Sequence, residues 1–194
     1  MNKKELTANK PPKLPPQAQC VFTGTIFDVY QWQQKMFDGT TETFEKLKRP
    51  DTIQIIALVG DKIMLQEQEQ PGEAPFLSLP GGRVDKGEEP RAAAERELLE
   101  ETGYRTADWF LWKQTNPHMK IVWTVHTYIA RHCVYVQPPQ LDAGEKITTN
   151  LIPFDDFINL CHNENFREGR LRTDLLYAYF DSKKKQALYK KLFG

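Results

Sequence analysis

A short acidic segment carries the side chains of this sequence that are best suited to chemistry. Glu97, Glu100 and Glu101 are spaced three and four residues apart, and Glu88 and Glu89 precede them. On a helix that spacing places the first three carboxylates on one face, where like charges repel. One interpretation is a solvated helix laced with salt bridges. The other is a site for a hard divalent cation such as Mg²⁺ or Mn²⁺, which prefers oxygen ligands.

The residues around this segment predict a loop that leads into a helix. Pro90 fits the first helical position and Gly103 fits the residue just past the end. Upstream, Gly81 and Gly82 allow the backbone to run close to a ligand. The N-terminus of the following helix favours an anion. A unit that gathers cations beside a bound phosphate is suited to phosphoryl transfer.

The complete spacing, G-x5-E-x7-R-E-U-x-E-E-x-G-U with U apolar, resembles the Nudix box of the Nudix hydrolases. The matching residues are Gly82, Glu88, Arg96, Glu97, Leu98, Glu100, Glu101, Gly103 and Tyr104. Tyr104 stands where the family has an aliphatic residue, a departure that affects packing and not chemistry. The resemblance implies an α/β fold, the Nudix α/β/α sandwich with a mixed sheet. It also implies Mg²⁺-dependent hydrolysis of a nucleoside diphosphate linked to another moiety, with Mn²⁺ as a possible substitute.

The resemblance further implies a role for each matching acid. Glu97 and Glu101 would be metal ligands, and Glu100 would bind the metal directly or through water. Glu88 would join the outer shell of the metal, and the carbonyl of Gly81 would also face it. The resemblance thus implies that Glu100 and Glu101, the adjacent glutamates near the end of the helix, are catalytic. The arginine of the box would orient the glutamates by salt bridges.

Two further stretches bear on catalysis and on the substrate. "LDAGEKITT" resembles the family loop that brings another glutamate to the metals, which makes Glu145 a candidate general base; an exposed loop acid is the alternative. Arg83 is a further predicted substrate contact. ADP-ribose pyrophosphatases often carry a Gln-aromatic-Arg-Pro run ahead of the box, whose arginine contacts substrate. Here the stretch is "QEQP", with Gln70 in place of that arginine, so another nucleoside diphosphate sugar stays open as the substrate.

The front of the chain resembles the N-terminal β region of the ADP-ribose and nucleotide-sugar pyrophosphatases, and predicts an N-terminal β-hairpin extension. In that group the region helps to form a homodimer and supplies aromatic rings that stack on the base. Phe27, Trp32 and Phe44 are the candidates for base stacking here. Ordinary strand packing is the alternative for each of them, because aromatic residues favour strands.

Hydrophobic patterning predicts the order of the elements. The stretch "CVFTGTIFDVYQWQQKMFDGTTETFEKLKR" predicts one long hairpin around an Asp-Gly turn. "TIQIIALVG", "KIMLQEQE", "FLSLP" and "ADWFLWKQT" predict strands, and "KIVWTVHTYIARHCVYV" predicts one long strand. "FDDFINLCHN" and "TDLLYAYFDSKKKQALYKKLF" predict helices. We expect a flexible lead at residues 1–18, the hairpin region at 19–50 and the Nudix domain at 51–194.

Composition narrows the partners and the compartment. The 194 residues carry a formal net charge of zero, so nothing global attracts nucleic acid or an acidic membrane. Three cysteines give no disulfide framework, and the N-terminus has no apolar core of a secretory signal. These features predict a cytoplasmic protein with no membrane and no nucleic acid among its partners.

Three functions remain open at this point. The leading one is a nucleoside diphosphate sugar pyrophosphatase, for which ADP-ribose is the first substrate to try. A nucleoside triphosphate pyrophosphohydrolase is the second, although compact enzymes of that kind need no extra front region. The third is a module that senses a nucleotide sugar without hydrolysing it. Such modules tend to lose glutamates of the box, and this chain has all of them.

Overall fold

The computed structural model describes residues 13–194, so residues 1–12 of the predicted N-terminal lead lie outside it. The strands are β1 (Gln19–Thr23), β2 (Asp28–Lys35), β3 (Thr41–Lys48), β4 (Thr52–Val59), β5 (Lys62–Glu69), β6 (Phe76–Ser78), β7 (Tyr104–Arg105), β8 (Asp108–Thr115), β9 (Ile121–Val122), β10 (Val125–Arg131), β11 (Val134–Tyr135) and β12 (Lys146–Pro153). The α-helices are α1 (Pro90–Thr102), α2 (Phe154–Asn159), α3 (Gly169–Phe180) and α4 (Ser182–Phe193), with a 3-10 turn at Leu160–His162.

The central sheet has the strand order β12-β5-β4-β10-β8, with β6 paired to β5. The β4–β10 pair is parallel and the others are antiparallel. Because successive side chains on a strand point to opposite faces, β4 contributes side chains to two hydrophobic cores, one on each face of the sheet. Ile53 and Ile55 pack with Ala94 and Leu98 of α1 on one face. The opposite face of the sheet is covered by the C-terminal helices. The predicted α/β/α sandwich with a mixed sheet is therefore confirmed.

A second sheet lies at the front of the chain, with the order β1-β2-β3-β9. The predicted hairpin is present as β2 and β3, joined by a turn in which Thr40 donates its N–H to the carboxylate of Asp38 at 3.0 Å and Gly39 has φ 90°. The first arm is longer than one strand. A turn closed by the N–H of Gly24 and the carbonyl of Phe27 at 3.0 Å divides it, so β1 becomes a third strand of the extension.

Two predictions of long continuous elements are wrong. The stretch "KIVWTVHTYIARHCVYV" forms three strands, β9, β10 and β11. The first break occurs because the N–H of Thr124 donates to the carboxylate of Asp51 at 2.9 Å and not to a neighbouring strand. The second break occurs at His132, where the backbone turns with φ 54°. The C-terminal helical stretch is two helices. Asp181 has an extended backbone and caps α4, because its carboxylate accepts hydrogen bonds from the N–H groups of Lys183 and Lys184.

The acidic helix α1 begins and ends where the sequence predicts. Pro90 is its first residue, and Gly103 follows it in left-handed geometry at φ 73°. The N–H of Gly103 donates to the carbonyl of Leu99 at 2.9 Å, which satisfies one of the last carbonyls of the helix. Its own carbonyl accepts from Val136 at 2.9 Å, so the end of α1 is tied to the chain after β11.

Gly103→Ala is expected to destabilise the protein by about 2 kcal/mol or more, because a side chain at positive φ is strained. A Cβ at this position would also overlap the backbone carbonyl of Gln137, which cannot move aside as a flexible side chain would. The matched control is Gly87→Ala, which has φ 84° but no neighbouring atom near its Cβ position. Denaturant unfolding measures both. Equal losses of stability at the two sites would contradict the steric argument.

None of the helices within residues 13–194 combines the length and the apolar character that are needed to cross a bilayer. Cys20, Cys133 and Cys161 are free thiols. Cys20 is exposed, whereas burial raises the pKa of the Cys133 thiol to about 11. The buried cysteines therefore act as small apolar core residues, and no disulfide links the two sheets in the described part of the chain.

Candidate active site

The acidic helix and the loop before it open onto one cleft, which we call the acidic cleft. Its volume is about 510 Å³. The lining residues are Gln68, Gln70, Gly81, Gly82, Arg83, Asp85, Arg96, Glu97, Glu100, Glu101, Gln140, Asp142 and Glu145. The cleft thus brings together most of the residues that the sequence predicts for the site. Among those predicted metal-site residues, Glu88 lies beside it and contacts it through Arg96.

The Gly-rich loop is held against the start of β4 by backbone hydrogen bonds. The N–H of Ile53 donates to the carbonyl of Gly82 at 2.9 Å, and the N–H of Val84 donates to the carbonyl of Asp51 at 2.9 Å. A Cβ on Gly81 would overlap the backbone carbonyl of Ile53. Only glycine allows this close approach, and it fixes the loop as one wall of the cleft.

Glu101 is the most deeply buried acid of the cleft, with 4% of its surface exposed. One carboxylate oxygen, Oε2, accepts hydrogen bonds from the N–H of Gly81 at 2.9 Å and from Nε2 of Gln66 at 3.1 Å. Burial raises the pKa of Glu101 to about 8, and the nearby charges of Glu97 and Glu145 act in the same direction. Among the described residues no basic side chain pairs with Glu101, so this carboxylate carries an uncompensated cost of burial.

Arg96 organises the other acids of α1. Its Nε and Nη2 atoms donate to the two carboxylate oxygens of Glu88, each at 3.0 Å. Its Nη1 atom donates to Glu97 at 2.9 Å and to Glu100 at 3.1 Å. The hydrogen bonds from Arg96 lower the pKa of the Glu88 carboxyl. At Glu97 the effect of burial exceeds the opposite effect of Arg96, so the pKa of the Glu97 carboxyl is raised.

The acids of the cleft fit a hard divalent cation. Within residues 13–194 no group of three or more acidic, histidine or cysteine side chains already converges in metal-ligand geometry. Glu101 is nevertheless buried and Glu97 half-buried, and both have a raised pKa, which a bound cation would lower. A Cβ on Gly82 would overlap the Glu97 carboxylate, so glycine makes the room in which that group sits. All the candidate ligands are oxygen atoms, which suits Mg²⁺ or Mn²⁺.

The structure also locates the three cleft residues that the sequence assigned to catalysis or substrate. Glu145 is half-buried on the loop before β12, where its carboxylate accepts the N–H of Asp142 at 3.3 Å. Gln70 follows β5 and Arg83 follows the two loop glycines, and both are exposed residues that line the same cleft. Their roles in catalysis and in substrate contact stay predictions.

The three predicted base-stacking rings lie on the front sheet and its first turn, outside the lining of the acidic cleft. Trp32 and Phe44 face each other across β2 and β3, with ring centroids 6.0 Å apart, and Trp32 is 8% exposed. Phe27 packs under the guanidinium of Arg49, which also lies 4.6 Å from the ring centre of Trp123. Strand packing accounts for all of these contacts within one chain, and base stacking stays a prediction.

A second cavity of about 430 Å³ adjoins the acidic cleft. Gln68, Gln70, Gly81 and Gly82 line both of them. The polar residues of this second cavity, above all Gln54 and Glu168, were not predicted from the sequence. One signal was present, since Gln54 is the only polar side chain in the run "IQIIALV" of β4. Glu168 sits in a loop just before α3 and gave no signal.

Comparison with known proteins gives a consistent set of relatives. The NUDIX domain family matches residues 48–175, more than half of the chain. The ADP-ribose pyrophosphatase of Bacillus subtilis (strain 168) is 26% identical over 163 residues, which cover 81% of this chain and 87% of that protein. The methanol dehydrogenase activator of Bacillus methanolicus is 29% identical over 115 residues, which cover 57% of this chain and only 62% of that protein.

A solved structure agrees with the sequence relatives on the fold. The crystal structure of an ADP compounds hydrolase superposes on this chain with a TM-score of 0.68 and a sequence identity of 22%. The superposition covers 82% of this chain and 88% of that one. At this level of identity the similarity shows a shared fold.

Proposed function

The chain belongs to the Nudix family of hydrolases, and from that premise we propose that it hydrolyses the diphosphate bond of a nucleoside diphosphate sugar such as ADP-ribose. The products would be a nucleoside monophosphate and a sugar phosphate. The observation that carries the proposal is the acidic cleft, in which Glu97, Glu100 and Glu101 meet Glu145 from a distant loop. Similarity to an ADP-ribose pyrophosphatase over 81% of the chain supports this substrate class.

The residues of the cleft divide the work of such a hydrolysis. A divalent cation held by Glu97, Glu100 and Glu101 would neutralise the diphosphate and acidify a bound water. Glu145 carries no salt bridge in the described part of the chain, and we assign it the proton of the attacking water. The water oxygen then forms a bond to one phosphorus, the bond from that phosphorus to the bridging oxygen breaks, and the bridging oxygen leaves on the other phosphate.

The remaining roles follow from position. Gln70 and Arg83 both line the cleft, and we assign both to contacts with the substrate. Arg83 lies next to the loop glycines, where it can pair with a phosphate oxygen. Arg96 is a positioning residue, since its guanidinium is engaged by the box acids and by the backbone carbonyl of Arg83 at 3.1 Å.

We also propose that the protein works as a cytoplasmic homodimer. The front sheet supports this idea, because every residue of its edge strand β1 is exposed and Val21 and Phe22 are apolar. An exposed, apolar edge strand is unusual in a monomer. Three free thiols suit a reducing compartment. Sedimentation analysis of the wild type and of Phe22→Glu tests the dimer; a wild-type monomer would contradict it.

The test of the proposed reaction is a substrate panel with products identified by mass. The purified protein is incubated in Mg²⁺ with ADP-ribose, GDP-mannose, UDP-glucose and dGTP. We expect a nucleoside monophosphate and a sugar phosphate from at least one of the three nucleotide sugars. Pyrophosphate from dGTP alone would instead identify a nucleoside triphosphate pyrophosphohydrolase. Tight binding of a nucleotide sugar that stays intact after long incubation would identify a sensing module.

Phe44→Ala tests the alternative base site on the front sheet: if this ring stacked on the base, its removal would raise KM for an adenine substrate about tenfold, because such stacking contributes about 1–3 kcal/mol. kcat should change little, since Phe44 does not line the acidic cleft. The matched control is Phe37→Ala, a fully exposed ring in the turn of the same hairpin. A change confined to the unfolding temperature would assign Phe44 to packing against Trp32.

A further inference from the structure

The floor of the second cavity is a chain of three polar side chains. The hydroxyl of Thr127 donates to Oε1 of Gln54 at 2.9 Å, which orients the amide so that Nε2 donates to the carboxylate of Glu168. The other carboxylate oxygen accepts the N–H of Leu79 at 3.2 Å. Gln54 and Thr127 are 7% and 1% exposed, and the next inward positions on the same face of their strands, Ile56 and Ile129, are apolar. Burying such a chain costs stability that apolar residues would not, which indicates a role beyond folding.

Glu168 is a half-buried hydrogen-bond acceptor whose carboxylate has unused acceptor positions. Its hydrogen-bond partners in residues 13–194 are the amide of Gln54 and the N–H of Leu79, and neither is charged. A carboxylate offers about four acceptor positions, so two remain. Burial raises the pKa of Glu168, as expected for a carboxyl that lacks a cationic partner. Ser78 also lines this cavity, and its buried hydroxyl has no partner among the described residues.

The walls of the second cavity suit a flat, apolar-faced group. Their apolar and aromatic residues are Ile53, Phe76, Leu79, Trp123, Val125 and Leu171, and Lys113, Arg167 and Arg170 add positive charge to the lining. Trp123 is held in place, since its Nε1–H donates to the hydroxyl of Thr52 at 2.6 Å. At the rim, the guanidinium of Arg167 lies 3.9 Å from the ring centre of Phe76. A volume of about 430 Å³, apolar walls and a few convergent polar groups are the usual features of a small-molecule site.

The second cavity and the acidic cleft form one continuous surface, because Gln68, Gln70 and the two loop glycines line both. A diphosphate in the acidic cleft therefore has one of its two substituents next to the second cavity. We propose that this cavity is the binding site for a purine base that carries an exocyclic amino group, with Glu168 accepting a hydrogen bond from that group. The proposal rests on the proposed function, since it assigns the nucleoside half of that substrate.

The chemistry of the floor selects among bases. An ionised carboxylate only accepts hydrogen bonds, so the amino group of adenine or guanine suits Glu168. Hypoxanthine has the same size but no exocyclic amino group, and it presents a carbonyl oxygen instead. A lost hydrogen bond to a charged group is worth about 1.5–3 kcal/mol, which corresponds to at least about tenfold in affinity. The distal sugar is the competing occupant of the cavity.

The test measures binding of products and needs no turnover, so it is separable from a failure of the proposed reaction. AMP, GMP, IMP and ribose 5-phosphate are titrated calorimetrically into the wild type. We expect AMP or GMP to bind at least about tenfold more tightly than IMP. Glu168→Gln is expected to reduce that difference, because a neutral amide oxygen accepts a hydrogen bond more weakly than a carboxylate and the amide nitrogen can only donate. The matched control, Glu164→Gln, replaces an exposed acid of the same loop and should bind all four ligands as the wild type does.

A second variant keeps the test decisive if Glu168→Gln does not fold. Val125→Phe adds bulk at the wall of the cavity and leaves Glu168 with its hydrogen bonds. It is expected to weaken AMP and GMP at least tenfold and to leave ribose 5-phosphate unchanged. Equal affinity of the wild type for AMP, GMP and IMP would overturn the proposal. Loss of ribose 5-phosphate binding in Val125→Phe would also overturn it. The third contrary result is purine nucleotide binding that is unchanged in Val125→Phe but lost in Phe44→Ala.

Discussion

Glu101→Gln is expected to reduce kcat by about 10²–10⁴-fold, the range for loss of an essential catalytic group. The carboxylate is buried against the Gly-rich loop and has no basic partner among residues 13–194. A glutamine keeps an oxygen that can accept the N–H of Gly81, so the loop should stay in place. It removes the negative charge that a divalent cation requires. Activity should therefore fall while the fold is retained.

The control for this variant is Glu95→Gln on the same helix. Glu95 is exposed and, within residues 13–194, pairs with Arg91 alone, at 2.8 Å; an exposed pair of this kind contributes little to stability. Glu95→Gln should keep wild-type kcat. Steady-state kinetics at several Mg²⁺ concentrations, with circular dichroism to check the fold, measure both variants. Near-normal activity of Glu101→Gln with unchanged Mg²⁺ dependence would contradict the metal site.

Arg96→Ala is expected to lower kcat by about 10–100-fold, the usual effect of removing a group that orients metal ligands. Arg96 holds Glu88, Glu97 and Glu100 with hydrogen bonds of 2.9 to 3.1 Å. Without it these carboxylates repel one another and lose their common orientation. The lost orientation weakens cation binding, whereas the removal of a competing positive charge strengthens it, so the concentration of Mg²⁺ for half-maximal activity should rise less than kcat falls.

Arg91→Ala is the matched control, because Arg91 lies on the same helix and pairs only with the exposed Glu95 among the acids of α1. It should change neither kcat nor the Mg²⁺ dependence. Thermal unfolding of both variants separates positioning from stability. If Arg96→Ala lost stability but kept wild-type kcat in the folded fraction, Arg96 would be a structural residue and the assignment to positioning would fail.

Local spacing in the sequence was enough to predict the acidic helix and much of its site. Pro90, Gly103 and the three glutamates of one face lie within a single segment, so their geometry follows from the helix itself. Glu145 lies on a distant loop and was reached only through resemblance to a family. The structure brings it into the acidic cleft.

Contacts between distant segments explain what the sequence analysis missed. The break before β10 depends on the carboxylate of Asp51, which lies 73 residues from Thr124 along the chain. The second cavity depends on Gln54 and Glu168, which are 114 residues apart. Neither pair has a spacing that a local pattern can detect. The Trp32–Phe44 contact is likewise a cross-strand pair, visible only once the register of β2 and β3 is known.

The most direct test of the central claim follows the phosphorus atoms of ADP-ribose by ³¹P NMR, in Mg²⁺, with the wild type and with Glu101→Gln. The account predicts that the two diphosphate signals disappear with the wild type and that two phosphomonoester signals, of AMP and ribose 5-phosphate, replace them. Glu101→Gln and wild type with excess EDTA should leave the diphosphate signals unchanged over the same time. Wild-type cleavage that persists in Glu101→Gln at the same rate, or no cleavage of any nucleotide sugar by the wild type, would contradict the account.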